Sequence, residues 1–196
     1  MLPVFEQLED RVCMDTKLFI VAGSGVNPRL FKHEIQHQLP NDEVLVVHVK
    51  VGAIRQLVRD WEAPDAVRSP AKTGQAYDKM VSRVEKATTG KDVDAITFVL
   101  NQGEQDAKRG WSSTYGDSLG KLFESLYDDI GYPVIMESVI SLIHSGPTAH
   151  YATIRAIQQE FAETEPNLWS WVDTDTVHGK RGVTQLLASA AVAVTA

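Results

Sequence analysis

Five short, almost unbroken apolar runs, separated by stretches of helical periodicity, constrain this chain more than any other feature of its sequence. The runs lie at residues 18–22, 44–49, 95–100, 134–139 and 168–172. A strand with one wet face alternates apolar and polar residues, so continuous apolar runs predict parallel strands buried on both faces. Between them, Tyr77, Met80, Val81 and Val84 recur at helical spacing, as do Leu119, Leu122, Phe123 and Leu126, then Ile154, Ile157 and Phe161. The Ala/Val-rich stretch 186–196 is too short to span a bilayer and reads as a packed terminal helix. Strand and helix in alternation predict right-handed crossovers: an α/β three-layer sandwich with a five-stranded parallel sheet, wound in both directions from the first strand.

The 196 residues fit one domain, 1–196, with enough chain to build a core without disulfide or metal staples. A net charge of -7 opposes binding to phosphate backbones, so no nucleic-acid partner is expected. Cys13 is the only cysteine, which rules out an intrachain disulfide and a cysteine-built zinc site. The first ten residues are acidic and lack the basic start and apolar stretch of a secretory signal. With no membrane span either, cytoplasm is the default expectation.

In wound parallel sheets, ligands bind beyond the carboxyl ends of the strands, so the loops that follow each strand are where chemistry is sought. They are Gly23-Ser24-Gly25, Lys50-Val51-Gly52, Asn101-Gln102-Gly103-Glu104, a fourth loop with Ser138 and Ser141 following the fourth strand, and the stretch from Asp173 to Gly179. Acyl transfer needs a nucleophile, a base, a carboxylate that orients the base, and donors aimed at the developing oxyanion. Ser24 sits in a glycine-flanked turn, where amides at the start of the next helix are expected to favour negative charge. Asp175 and His178 stand three residues apart in the last loop.

The third loop, Phe98-Val99-Leu100-Asn101-Gln102-Gly103-Glu104-Gln105-Asp106-Ala107, carries polar groups straight out of an apolar strand. It resembles the Trp-x-Gln-Gly-Glu-Ser-Asp-Ala stretch of the sialic-acid acetylesterase-like branch, carbohydrate esterase family six, of the SGNH hydrolase superfamily. Val51-Gly52 with Trp61 resembles that family's second block, and Asp175-Thr176-Val177-His178 its last. The resemblance runs in order along nearly the whole chain and implies a flavodoxin-like fold and a serine esterase acting without a cofactor. The substrate would be a small-molecule or glycan ester, with O-acetyl or another short acyl group removed from a carbohydrate. His178 would be the general base and Asp175 its orienting partner. The Gly52 amide and the Gln102 side chain would join the nucleophile's own amide in the oxyanion hole. Gly103 and Glu104 would support the loop, Glu104 as a buried carboxylate that ties loops together.

The first block departs from the family. Val21-Ala22-Gly23-Ser24-Gly25-Val26-Asn27 lacks the Gln-Ser-Asn order, and a gapless match puts Gly25 where the nucleophile belongs. A shift of one residue makes Ser24 the nucleophile, which is the preferred register. The alternative is a non-catalytic, glycan-binding or structural member of the fold.

His33-Glu34-Ile35-Gln36-His37 fits the His-Glu-x-x-His zinc pattern, in which two histidines one turn apart hold the metal and the Glu activates water. Pro40 and Glu43 stand where the extended pattern needs Gly and His. A zinc hydrolase is therefore a minor alternative, and these side chains are expected on a solvated helix face. His144 and His150 fall in the loop after the fourth run, where substrate contacts or surface polarity are the two readings. Arg109, Trp111 and Tyr115 read either as a sugar-stacking group or as helix-to-sheet core.

Overall fold

The computed structural model describes residues 14–62, 73–131, 136–164 and 169–195. Its strands are β1 (Thr16–Gly23), β2 (Glu43–Val49), β3 (Ala95–Asn101), β4 (Met136–Leu142) and β5 (Trp169–Asp173). They form one parallel sheet in the order β2-β1-β3-β4-β5. The sheet is wound outward on both sides of β1, as the apolar runs predict. The expected N-terminal segment, Cys13, residues 134–135 of the fourth run and residue 168 of the fifth lie outside the described residues.

The helices are α1 (Pro28–Gln38), α2 (Gln75–Thr88), α3 (Glu104–Arg109), α4 (Tyr115–Leu126), α5 (Ala149–Glu163) and α6 (Gly179–Thr195). The alternation along β1 decides which residue meets which layer. Phe19 and Val21 pack with Phe31 and Ile35 of α1 and with Val183, Leu187, Ala188 and Ala191 of α6. Leu18, Ile20 and Ala22 join Tyr77 and Met80 of α2, Leu119 and Leu122 of α4 and Ile154 of α5. Among the described residues no helix is long and apolar enough to cross a membrane.

Two expectations need correction. Ser138 and Ser141 do not follow β4; they lie inside it, 0% and 1% exposed. Serine is small enough to be buried on both faces of a strand, and the run ends at Leu142 rather than at residue 139. His150 belongs to the first turn of α5, where its Nδ1 pairs with Ser112 Oγ at 2.8 Å.

The first loop is fixed by contacts distant in sequence. Asn27 caps α1, its Oδ1 accepting from the amides of Arg29 and Leu30, and its own amide donates to Thr184 Oγ of α6 at 3.0 Å. On the other side Ser24 N donates to Asn101 O at 3.2 Å. Gly23 permits this approach, because a Cβ there would lie 2.0 Å from Asn101 O.

Candidate active site

A cavity of about 290 Å³ opens at the carboxyl ends of the strands. Ser24 and Gly25 line it after β1, Gly52 after β2, and Asn101 to Gln105 at and beyond the end of β3. Ile143 and His144 line it after β4, Thr174 after β5, and Gly179, Lys180 and Val183 on α6. Every strand of the sheet thus sends a loop to one space.

Ser24 is exposed at the rim. Its carbonyl accepts from Asn101 Nδ2 at 2.6 Å, so both sides of its peptide are held by Asn101. Among the described residues its hydroxyl makes no hydrogen bond. Gly25 has φ of 83°, a conformation that L-residues adopt with strain. A serine at 25 would start from an unfavourable backbone.

The donors named for the oxyanion hole are all engaged in this conformation. Ser24 N serves Asn101, and Gly52 N donates to Gln56 Oε1 at 2.7 Å. Gln102 Nε2 donates to Tyr115 Oη at 2.8 Å, while Gln102 Oε1 is buried without a partner among the described residues. The amides expected at the start of α1 are likewise taken by the Asn27 cap.

Behind Gln102 lies a buried polar knot. Gln158 Nε2 donates to Gln102 O at 2.8 Å and to Tyr115 Oη at 3.0 Å, and Gln158 Oε1 accepts from Ile143 N at 2.9 Å. These bonds lock the β3 loop to the β4 loop. Burial holds the Tyr115 hydroxyl well above its ordinary pKa, so it stays protonated. Gly103 is buried in the same knot and accepts at its carbonyl from Ala107 N.

Glu104 is not the buried tie expected of it. It is exposed, lines the cavity and pairs loosely with Lys108 one turn on, at 3.9 Å. The buried carboxylate is Asp106, two residues later and 0% exposed, whose two oxygens accept from Ile54 N at 3.2 and 3.1 Å. At the start of α3 a shift of two positions exchanges the outward face for the inward one. Burial pushes the Asp106 pKa up to about 7, against the Ile54 amide and the charges of Arg109 and Arg55, which pull it down.

Asp175 and His178, expected as orienting carboxylate and base, are not hydrogen-bonded to each other among the described residues. Asp175 Oδ1 pairs with His144 Nδ1 at 2.8 Å, and its oxygens accept from the Ser145 amide at 3.2 Å and from Ser145 Oγ at 2.7 Å. The Ser145 hydroxyl above all, then His144, the Ser145 amide and Arg155, hold the Asp175 carboxyl down at about 2. His178 is exposed, outside the cavity lining and without a hydrogen bond among the described residues. The short 3₁₀ turn Thr174–Thr176 aims Asp175 at the β4 loop, whereas His178 stands between Val177, which is in extended backbone, and the start of α6. Sequence reading placed His144 correctly after the fourth strand but had no signal, such as a fixed spacing, to join it to Asp175.

The remaining candidates fall outside this cavity. Trp111 packs on Trp61, ring centroids 5.0 Å apart, with the guanidinium of Arg109 over it at 4.8 Å. Tyr115 is wholly buried, which settles its reading as core. His33 and His37 are exposed on α1 and line an open groove with Arg29 and Lys32, while Glu34 accepts from Gln185 Nε2 at 3.0 Å. Among the described residues no third acidic, cysteine or histidine ligand joins them, and the neighbouring cations oppose a metal ion.

Fold and cavity together define an α/β protein of the wound parallel class with its site at the strand ends. The family model described as carbohydrate esterase, sialic acid-specific acetylesterase (SASA), matches residues 5–195. The chain belongs to this family. Among solved structures it is similar to the X-ray structure of a protein from Arabidopsis thaliana, with 20% identity, a TM-score of 0.59, and coverage of 87% of this chain and 70% of that one. A second similarity is to the C-terminal catalytic domain of peptidoglycan O-acetyltransferase A from Streptococcus pneumoniae, solved with a methylsulfonyl adduct. Its identity is 13% and its TM-score 0.46, over 93% of each chain. No curated protein sequence matches.

Proposed function

We propose that this chain hydrolyses O-acetyl or other short acyl esters on a carbohydrate, with Ser24 as the nucleophile and a histidine held by Asp175 as the base. Membership of an acetylesterase family gives the reaction class. The observation that supports the residue-level reading is that Ser24, Gly52, Gln102 and a histidine, His144, line one cavity at the strand ends. Ser24 Oγ attacks the ester carbonyl, the imidazole takes its proton and passes it to the departing alcohol, and a water activated by the same imidazole releases the acid.

Oxyanion stabilisation then requires a small rearrangement of side chains. Turning the Gln102 amide end for end would let Tyr115 Oη donate to Oε1 and put the Nε2 donor where the unpartnered oxygen now lies. Withdrawal of Gln56 Oε1 from Gly52 N would free a second donor. Each such donor is typically worth about 3 kcal/mol of transition-state stabilisation.

Turnover of p-nitrophenyl acetate by the wild-type protein and by Ser24→Ala tests the reading. A loss of at least ~100-fold in kcat/KM is expected, and unchanged turnover would remove Ser24 from its role. A second reading, a glycan-binding member without turnover, is favoured by the engagement of all three oxyanion donors. Absence of turnover in both proteins, with measurable binding of an acetylated oligosaccharide, selects it.

A further inference from the structure

The geometry points to Gln56 as a positioning residue, whose side-chain oxygen holds the place of the oxyanion on the loop after β2 until charge develops on the substrate. The inference rests on the esterase reading above and concerns the control of one of its donors.

A single oxygen, Gln56 Oε1, accepts from two successive amides, Gly52 N at 2.7 Å and Ala53 N at 3.2 Å. Backbone donors converging on one oxygen are what an oxyanion hole presents to a tetrahedral intermediate. The oxygen stands beside the cavity at the strand ends. A Cβ on Gly52 would lie 3.5 Å from it and 3.9 Å from Gln105 Cγ, and Gly52 and Gln105 both line that cavity. Gln56 is the last residue of the 3₁₀ turn Ile54–Gln56, whose first amide is anchored on the buried Asp106. The loop is thus fixed through Ile54, independently of the side chain that fills it.

That side chain has a second place to go. Gln56 also lines a cavity of about 410 Å³ with Lys50, Gln75, Lys79 and Arg83, and no carboxylate among the described residues lines it. Gln75, Lys79 and Arg83 recur at four-residue spacing and so share one face of α2. Arg83 donates to His48 O, while the side chains of Lys50, Gln75 and Lys79 make no hydrogen bond among the described residues. A carboxamide oxygen released from Gly52 therefore meets unengaged donors.

Acceptor strength decides when it moves. A carboxamide oxygen accepts more strongly than an ester carbonyl, and less strongly than an oxyanion, whose hydrogen bonds are charge-assisted. The bound ester leaves Gln56 in place, and the tetrahedral oxyanion displaces it. Gly52 N is then given to the transition state and withheld from the ground state, which is differential binding. The cost is the bond to Gln56 that must break, equivalent to about three- to tenfold in kcat/KM.

Gln56→Met keeps the length of the side chain and removes the acceptor. On p-nitrophenyl acetate it is expected to raise kcat/KM by about three- to tenfold, mostly through a lower KM, because the ground-state ester now also reaches Gly52 N. A fall in kcat/KM, or no change, overturns the inference and leaves Gln56 as a brace of its own turn, while Ser24 keeps its role. A second measurement uses the wild-type protein, where phenylmethylsulfonyl fluoride sulfonylates Ser24 and puts a sulfonyl oxygen where the oxyanion forms. ¹H–¹⁵N NMR is expected to show the Gly52 amide and the Gln56 side-chain amide shifting together on reaction. An adduct that leaves the Gln56 resonances in place overturns the inference, whether or not Gln56→Met folds. A wild-type protein that neither turns over the ester nor takes up the reagent removes the esterase reading and this inference with it.

Discussion

Replacement of Asp106 by asparagine isolates the cost of keeping a carboxyl group inside the wall of this site. Asp106 is wholly buried and its oxygens hold the Ile54 amide, which anchors the loop carrying Gly52 to α3. Its pKa is raised from an ordinary 3.8 to about 7 in the folded protein. Between those values the folded state keeps a proton that the unfolded state has lost, so stability falls as pH rises. The contribution is fully present below about pH 4 and is gone once pH passes the folded value. At about 1.4 kcal/mol per tenfold change in proton affinity, the displacement amounts to ~4 kcal/mol. Asparagine keeps the acceptor for Ile54 and cannot ionise. Urea unfolding of both proteins across pH 4 to 8 is therefore expected to show near parity, within about 1 kcal/mol, at the acid end. The asparagine variant should then gain a few kcal/mol by pH 8, with most of the change complete by pH 7. A stability difference that stays constant across this range would refute the claim that burial outweighs Arg55, Arg109 and the Ile54 amide.

Two further outcomes follow from the first loop. Gly23→Ala puts a methyl group 2.0 Å from Asn101 O and must part β1 from β3 at the cavity, so a loss of more than about 3 kcal/mol in urea unfolding is expected, or no folded protein at all. Gly25→Ser restores the gapless register but forces serine to φ of 83°, and is expected to cost ~1 kcal/mol without raising ester turnover. Turnover that rose would move the nucleophile from 24 to 25.

The sheet was legible because burial on both faces leaves a local trace, an unbroken apolar run, and the observed strands overlap all five runs. The order of the loops that line the cavity was equally legible, since each simply follows its strand. What could not be read was which polar side chain faces which. Glu104 and Asp106 sit in the same motif, and only the way α3 packs beneath the loop carrying Ile54 decides that the second is inside. Asp175 and His178 have a suggestive spacing, yet the 3₁₀ turn after β5 points the carboxylate across to another strand's loop. Pairing across loops depends on non-local geometry that spacing within one loop does not encode.

The bond between Asn27 N and Thr184 Oγ joins residues 157 apart in the sequence. It makes the position of the serine loop a property of the last helix as well as of the first strand. Closing so long a loop is slow compared with forming any single helix, so this end of the cavity completes late in folding. Loosening of α6 would remove one restraint on this turn, the bond to Asn27 N, while the two bonds between Ser24 and Asn101 hold its other side.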